Sequence, residues 1–158
     1  MTRPLFSVLG LIASTAVFAA SPAQAAPICV GTPGNGTVKL EVTATSLRNA
    51  DGEVAFTVYP DDSSRFLKPG TKLARARIKA SAPTTRACFW LPPGHYALAT
   101  YHDENGDRKF NRTALAPKEG FGFSNDAPTT LGIPTFKATR FAVPAGGGSI
   151  SIKTRYGR

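Results

Sequence analysis

The sequence predicts an all-β protein, a single antiparallel β-sandwich of about seven short strands behind a cleaved signal peptide. Three observations carry this expectation. Apolar residues recur at every second position in short runs, and clusters of Gly, Pro, Asn and Asp separate those runs. After the leader, no stretch of any length repeats at the helical period. Short strands with frequent turn residues, in a chain of one domain's length, point to a sandwich, with a small barrel as the alternative architecture.

The leader is read first. Arg3 precedes an uncharged apolar run over residues 5–20, followed by Ala23-Gln24-Ala25. This is the layout of a secretory signal cleaved after Ala25. The run is too short to remain as a comfortable membrane span. Ile28 also stands where a lipid-attachment signal on Cys29 wants a small residue. The 158-residue chain then divides into a signal peptide (residues 1–25), an N-terminal arm (26–36) and one sandwich domain (37–158) with a single core. The expected location is periplasmic or secreted. Cys29 and Cys88 are the only cysteines, and an even count in an oxidising compartment predicts a disulfide between them.

The strands follow in order. In residues 37–47, Val38, Leu40 and Val42 alternate with Lys39, Glu41 and Thr43. In residues 53–59, Val54, Phe56 and Val58 share a face, and the turn Asn49-Ala50-Asp51-Gly52 between the two runs reads as a hairpin. Residues 72–80 set Ala74, Ala76 and Ile78 against Arg75, Arg77 and Lys79, a strand with an exposed basic face and a candidate anion-binding surface. In residues 85–91, Ala87, Phe89 and Leu91 alternate with Cys88 and Trp90, and Pro92-Pro93-Gly94 ends the run. A further strand carries Tyr96, Leu98 and Thr100 into His102. Residues 103–134 keep no period and read as a long loop, packed down in places by Phe110, Phe121 and Phe123. Residues 136–143 and 149–156 supply the last two strands, with Gly146-Gly147-Gly148 turning between them.

The densest polar cluster lies in the long loop. Asp103, Asn105 and Asp107 occupy the first, third and fifth places of an EF-hand-like calcium loop, where alternate oxygen side chains turn inward on one cation. Arg108 stands at the sixth place, where such a loop wants glycine, and Ala114 at the twelfth, where a carboxylate should close the shell. Asn111 at the ninth place and Glu119, folding back, complete the candidate ligand set for Ca²⁺. The competing reading is a turn in which Asp and Asn hydrogen-bond their own backbone. Arg108, Lys109, Arg112 and Lys118 nearby weigh against a cation.

The chain carries 19 Lys and Arg against 10 Asp and Glu, a formal net charge of +9. For an exported protein this balance suggests an anionic envelope polymer or glycan as partner rather than nucleic acid, or solubility alone.

Three motifs in order, Leu91-Pro92-Pro93-Gly94-His95-Tyr96-Ala97, His102-Asp103-Glu104-Asn105-Gly106-Asp107, and Pro117-Lys118-Glu119-Gly120-Phe121-Gly122-Phe123-Ser124-Asn125, resemble the bacterial secreted family numbered 2141 among the domains of unknown function. The resemblance covers nearly all of the chain after the leader. It implies an immunoglobulin-like or transthyretin-like sandwich in the cell envelope, with no established activity. The family usually reads D-x-N-x-N-G-x-x-D in the loop, so Asp107-Arg108 and Asn111 are departures that remove a turn glycine and a carboxylate.

The function expected is a non-enzymatic binding or structural module acting through loop 102–125. The alternatives are a small periplasmic hydrolase and a carbohydrate-binding module. Ser124, His95 and His102 would have to converge for hydrolysis, yet Ser124 sits in no nucleophile-elbow sequence. Transthyretin-like hydroxyisourate hydrolases end in Tyr-Arg-Gly-Ser, whereas this tail is Arg155-Tyr156-Gly157-Arg158. Trp90 and Tyr96 are the residues a sugar-stacking platform would use.

Overall fold

Side chains that alternate along a strand commit one face to water and the other to a core. Here two such inner faces close on each other. The computed structural model describes residues 29–113, 116–129 and 133–157; the expected signal peptide, residues 1–25, lies outside them. Eight strands form: β1 Val38–Thr45, β2 Glu53–Pro60, β3 Ala74–Lys79, β4 Thr85–Leu91, β5 Gly94–Asp103, β6 Gly120–Phe123, β7 Phe141–Val143 and β8 Gly148–Lys153. One 3₁₀ turn (Ser124–Asp126) and one turn of helix, α1 (Phe136–Thr139), complete the elements. Among the described residues no helix is long and apolar enough to cross a membrane.

The strands make a β-sandwich of two sheets, ordered β4-β1-β8 and β3-β2-β5-β6, with β7 also pairing β5. Leu40, Val42, Ala44, Ala87, Phe89, Leu91 and Ile152 come from the smaller sheet. They meet Val54, Phe56, Val58, Ala76, Tyr96, Leu98, Phe141 and Val143 from the larger one. The apolar face expected of each of these strands is therefore the face that is buried.

The pairing of the first two strands departs from expectation. β1 and β2 form no hairpin: β1 lies between β4, antiparallel, and β8, parallel, while β2 pairs with β3 and β5. The turn at Asn49–Gly52 carries the chain from one sheet to the other. The reason lies in β2, where six consecutive residues from Val54 to Tyr59 are buried. A strand covered on both faces belongs in the middle of the larger sheet.

The long segment is not all loop. Gly120-Phe121-Gly122-Phe123 forms β6 against the second half of β5, while β7 takes the first half. Alternating glycine lets β6 pass close under the C-terminal strand, since a Cβ on Gly122 would stand 2.6 Å from Ile152 Cγ2. The expected strand over residues 136–143 begins as α1 instead, because the Thr135 hydroxyl accepts the Ala138 N–H and caps a helical turn. The expected last strand, residues 149–156, keeps its pairing only to Lys153, after which Arg155 bridges to Phe121.

The outer face of the larger sheet is also covered. Tyr59, Phe66, Ala97, Phe121, Phe123 and Ala127 form a second apolar cluster there. Phe66 meets Tyr59, Phe136 and Phe123 edge-on at centroid distances of 5.4, 5.7 and 6.4 Å.

Cys29 and Cys88 are disulfide-bonded. The arm then runs along the outer edge of β4: the Val30 N–H donates to the Cys88 carbonyl at 3.0 Å and the Trp90 N–H to the Val30 carbonyl at 2.8 Å. This covers an edge that would otherwise present free backbone groups. The bridge spans 59 residues, a loop whose closure stabilises by about 4 kcal/mol in the chain-entropy account. The double variant Cys29→Ala/Cys88→Ala is expected to keep its strand signal and to unfold in urea at a clearly lower midpoint. An unchanged midpoint would show that the arm's backbone pairing, not the bridge, holds this edge.

Candidate metal centre

The loop that follows β5 is built outward from one carboxylate. Asp103, the last residue of β5, is fully buried. It sits there because Gly52, at φ +63°, turns under it: any Cβ on Gly52 would collide with the Asp103 carbonyl oxygen. Asp103 Oδ2 accepts the Arg108 N–H at 2.7 Å and Arg77 Nη1 at 3.4 Å. The same guanidinium pairs with Glu53 and donates to the Tyr101 hydroxyl and the Arg108 carbonyl. Arg108 itself adopts φ +62°, the left-handed geometry usually left to glycine at this point of a cation loop. Its N–H on Asp103, and its carbonyl accepting from both Arg77 and the Tyr101 hydroxyl, hold it there. The loop thus makes the turn without the glycine.

Beyond Asp103 two side chains shape the backbone. Asn105 Oδ1 accepts the Asp107 N–H at 3.2 Å, and Asp107 Oδ1 accepts the Lys109 N–H at 2.8 Å. Asn105 Nδ2 also donates to Asp107 Oδ2 at 3.1 Å. Glu119, just ahead of β6, folds back onto the loop: Oε2 accepts the Asn111 N–H at 2.9 Å. The Asn111 amide lies between the acids, donating to Asp107 Oδ2 at 2.8 Å and Glu119 Oε1 at 3.3 Å. One oxygen each from Asp103, Asp107 and Glu119 lies within 4.8 Å of the others. Asp103 Oδ1, buried, has no hydrogen-bond partner among the described residues.

Residues 42–151, from within β1 to within β8, match one bacterial family, described as an uncharacterized protein conserved in bacteria (DUF2141). The chain belongs to that family. No curated protein and no solved structure matches it significantly.

In this DUF2141 member the electrostatics of the cluster are uneven. Burial pushes the Glu119 carboxyl above its usual range, and the charges of Asp103 and Asp107 add to this, against the two hydrogen bonds from Asn111. Asp107 is exposed and held below its usual range, first by the Asn111 side chain and then by the Lys109 N–H.

The five candidate ligands are thus neighbours, but in unequal roles. Asp103, Asp107 and Glu119 form the acidic cluster. Asn111 presents its NH₂ to it, and a rotation of the amide would present Oδ1 instead. Asn105 serves the turn. The hydrogen-bonded turn is formed, and it leaves the three carboxylates within reach of one another.

The expected exposed basic face is corrected. Arg77 is mostly buried and paired with Glu53 and Asp103, and Arg75 is half-buried with Nε on the Thr57 hydroxyl at 2.8 Å. Only Lys79 is exposed. The loops that cover the outer face of the larger sheet are the reason. Arg77, which sequence reasoning gave to solvent, proves to organise the site. The signal that was present is the acid at the ends of both neighbouring runs, Glu53 and Asp103.

The residues considered for hydrolysis or sugar stacking are otherwise engaged. His102 is buried, its Nδ1 at 2.8 Å from the Tyr156 hydroxyl and its Nε2 at 2.8 Å from the Asp51 carbonyl. The Ser124 hydroxyl, also buried, bonds the Leu98 N–H and the Thr139 carbonyl. His95 is exposed. Tyr96 lies in the sandwich interior with its hydroxyl donating to the Pro92 carbonyl, so it shares no surface platform with Trp90 on the other sheet.

A carboxyl whose folded-state pKa is raised favours the fold most below its unfolded pKa and loses that advantage as pH rises through the folded value. Glu119→Gln, measured in chelator, is therefore expected to unfold at higher urea than the parent at pH 7, with the gap closing as pH falls below the ordinary glutamate range. Urea titrations at a series of pH values check this. A gap independent of pH would show that Glu119 acts there only through its hydrogen bonds.

Proposed function

We propose that this chain is an exported cell-envelope β-sandwich whose loop 102–125 binds Ca²⁺, as a binding module rather than an enzyme. The observation that carries the reading is the buried Asp103 Oδ1, which has no partner among the described residues, on a carboxylate that belongs to a cluster of three. A buried carboxylate oxygen without a donor is costly, and two further acids beside it increase the cost. A cation offsets both. It gives Asp103 Oδ1 a ligand bond and offsets the burial, and the lesser effect of the neighbouring charges, that raise the Glu119 pKa.

The chemistry of the donors selects the ion. All are oxygens, which suits a hard cation and not zinc. Oxygens that all lie within 4.8 Å of one another can be spanned by opposed bonds of roughly 2.3–2.6 Å, as for Ca²⁺. A hollow of about 320 Å³ bordered by Glu104, Asn105, Asn111, Arg112, Lys118 and Glu119 leaves room for the waters that complete the shell. The nearby cations keep the affinity modest, in the range of extracellular modules at roughly 0.1–1 mM. The leader and the disulfide support an oxidising, exported location, where such affinity suffices.

At about a hundred times its dissociation constant, a single bound ion stabilises the fold by about 2.7 kcal/mol, or several degrees in Tm. Ca²⁺ is expected to raise the melting temperature over chelator by that amount in the parent. The shift should be lost in Asp107→Asn, whose exposed side chain makes it the mildest ligand change, and in Glu119→Gln. No shift in the parent at about 10 mM, roughly ten times the weakest sites of this kind, would return the loop to a hydrogen-bonded turn.

A further inference from the structure

On the outer face of the larger sheet a cavity of about 690 Å³ opens between β2, β5, β6 and the loop. That volume falls within the roughly 300–1,000 Å³ of small-molecule sites. Its walls are apolar and aromatic, with Tyr59, Tyr101, Phe121 and Phe123 prominent among them. Two arginines, Arg75 and Arg112, also line it. Among the described residues neither is paired with a carboxylate, while Arg48, Arg77, Arg108 and Arg140 all are. Among the described residues three large apolar side chains are exposed, and two of them, Phe110 and Ile133, sit on this cavity.

An apolar hollow with exposed aromatic and aliphatic residues, and with guanidinium groups that pair with no carboxylate among the described residues, has a definite complement. We infer that the cavity is a binding site for a free amphipathic carboxylate, a single aliphatic chain carrying one anionic head. The chain occupies the aromatic interior and removes Phe110 and Ile133 from water. The carboxylate takes the two arginines, whose forked N–H groups match it. Arg75 thereby serves an anion, but inside a pocket rather than on a basic surface. None of Asp103, Asp107 and Glu119 lines the cavity, but Arg112 borders both it and the hollow beside the acidic cluster, so binding is measured in chelator to separate the two sites.

The test is titration calorimetry of the mature protein in chelator with three probes: dodecanoate, dodecan-1-ol and phosphatidylglycerol vesicles. Dodecanoate is expected to bind at one site, and the alcohol at least about ten-fold more weakly, the measure of a charge-assisted contact. Arg75→Gln/Arg112→Gln should lose that factor for the acid and little for the alcohol. If the double variant is unstable, the exposed Arg112→Gln alone carries the charge test, with a smaller loss in the same direction. Ala99→Phe, which fills the cavity from β5, should weaken both single-chain probes. The inference is overturned if dodecanoate does not bind, if acid and alcohol bind alike in parent and variants, or if only the vesicles bind, which would make this a membrane-facing surface.

Discussion

A guanidinium held between two acids on neighbouring strands organises the end of this molecule that carries the acidic loop. Arg77 projects from β3 across β2 toward β5 and meets Glu53, Asp103, the Tyr101 hydroxyl and the Arg108 carbonyl. Glu53 and Asp103 are directly opposed across the β2–β5 ladder, as are Glu53 and Lys79 across β2–β3. Two carboxylates at that spacing in a place with little water repel one another unless a cation lies between them. Arg77 supplies it from one side, and its remaining donors fix the backbone where the loop leaves the sheet. The left-handed turn at Arg108 and the position of Asp103 follow from that arrangement.

The period of two along β5 then distributes the work. Tyr96, Leu98, Thr100 and His102 point into the sandwich, while Ala97, Ala99, Tyr101 and Asp103 point to the outer face. One strand therefore contributes to the main core, the second apolar cluster, the wall of the cavity and the acidic cluster. Arg75 and Arg77 on β3 share the outer face by the same rule, which puts one guanidinium on the cavity and the next on Asp103. Phe110, from the loop, meets Tyr101 and Phe121 edge-on at 5.6 and 6.1 Å and so packs the loop onto that face.

Alternation made the inner faces legible, residue by residue, because burial of one face is what selects apolar residues at every second position. It does not say which strand is the neighbour. β1 and β2 have good patterns and a good turn between them, yet lie in different sheets, and only the double-sided burial of β2 marks the difference. Arg75 and Arg77 misled for a related reason. Their alternation with alanine gives the side correctly, but a side covered by loops is not a surface, and the covering comes from residues distant in the chain. The disulfide partners were readable from parity, and the acidic loop from its spacing. Glu119 could be named as a closing group but not placed, since its approach depends on β6, whose Gly-Phe alternation carries too little pattern to be recognised as a strand.

The parallel pairing of β1 with β8 bears on the order of events during folding. β1 is the middle strand of its sheet, and its register runs from Leu40 opposite Gly148 to Thr45 opposite Lys153, a separation of more than a hundred residues. Leu40, Val42 and Ala44 cannot be sealed on that flank until the end of the chain has arrived. Closing so long a loop costs entropy before any contact repays it, which places such topologies among the slower folders. A chain emerging in order from the ribosome would hold that flank of β1 open until β8 is free, so the core shuts only after nearly all of the sandwich has been made.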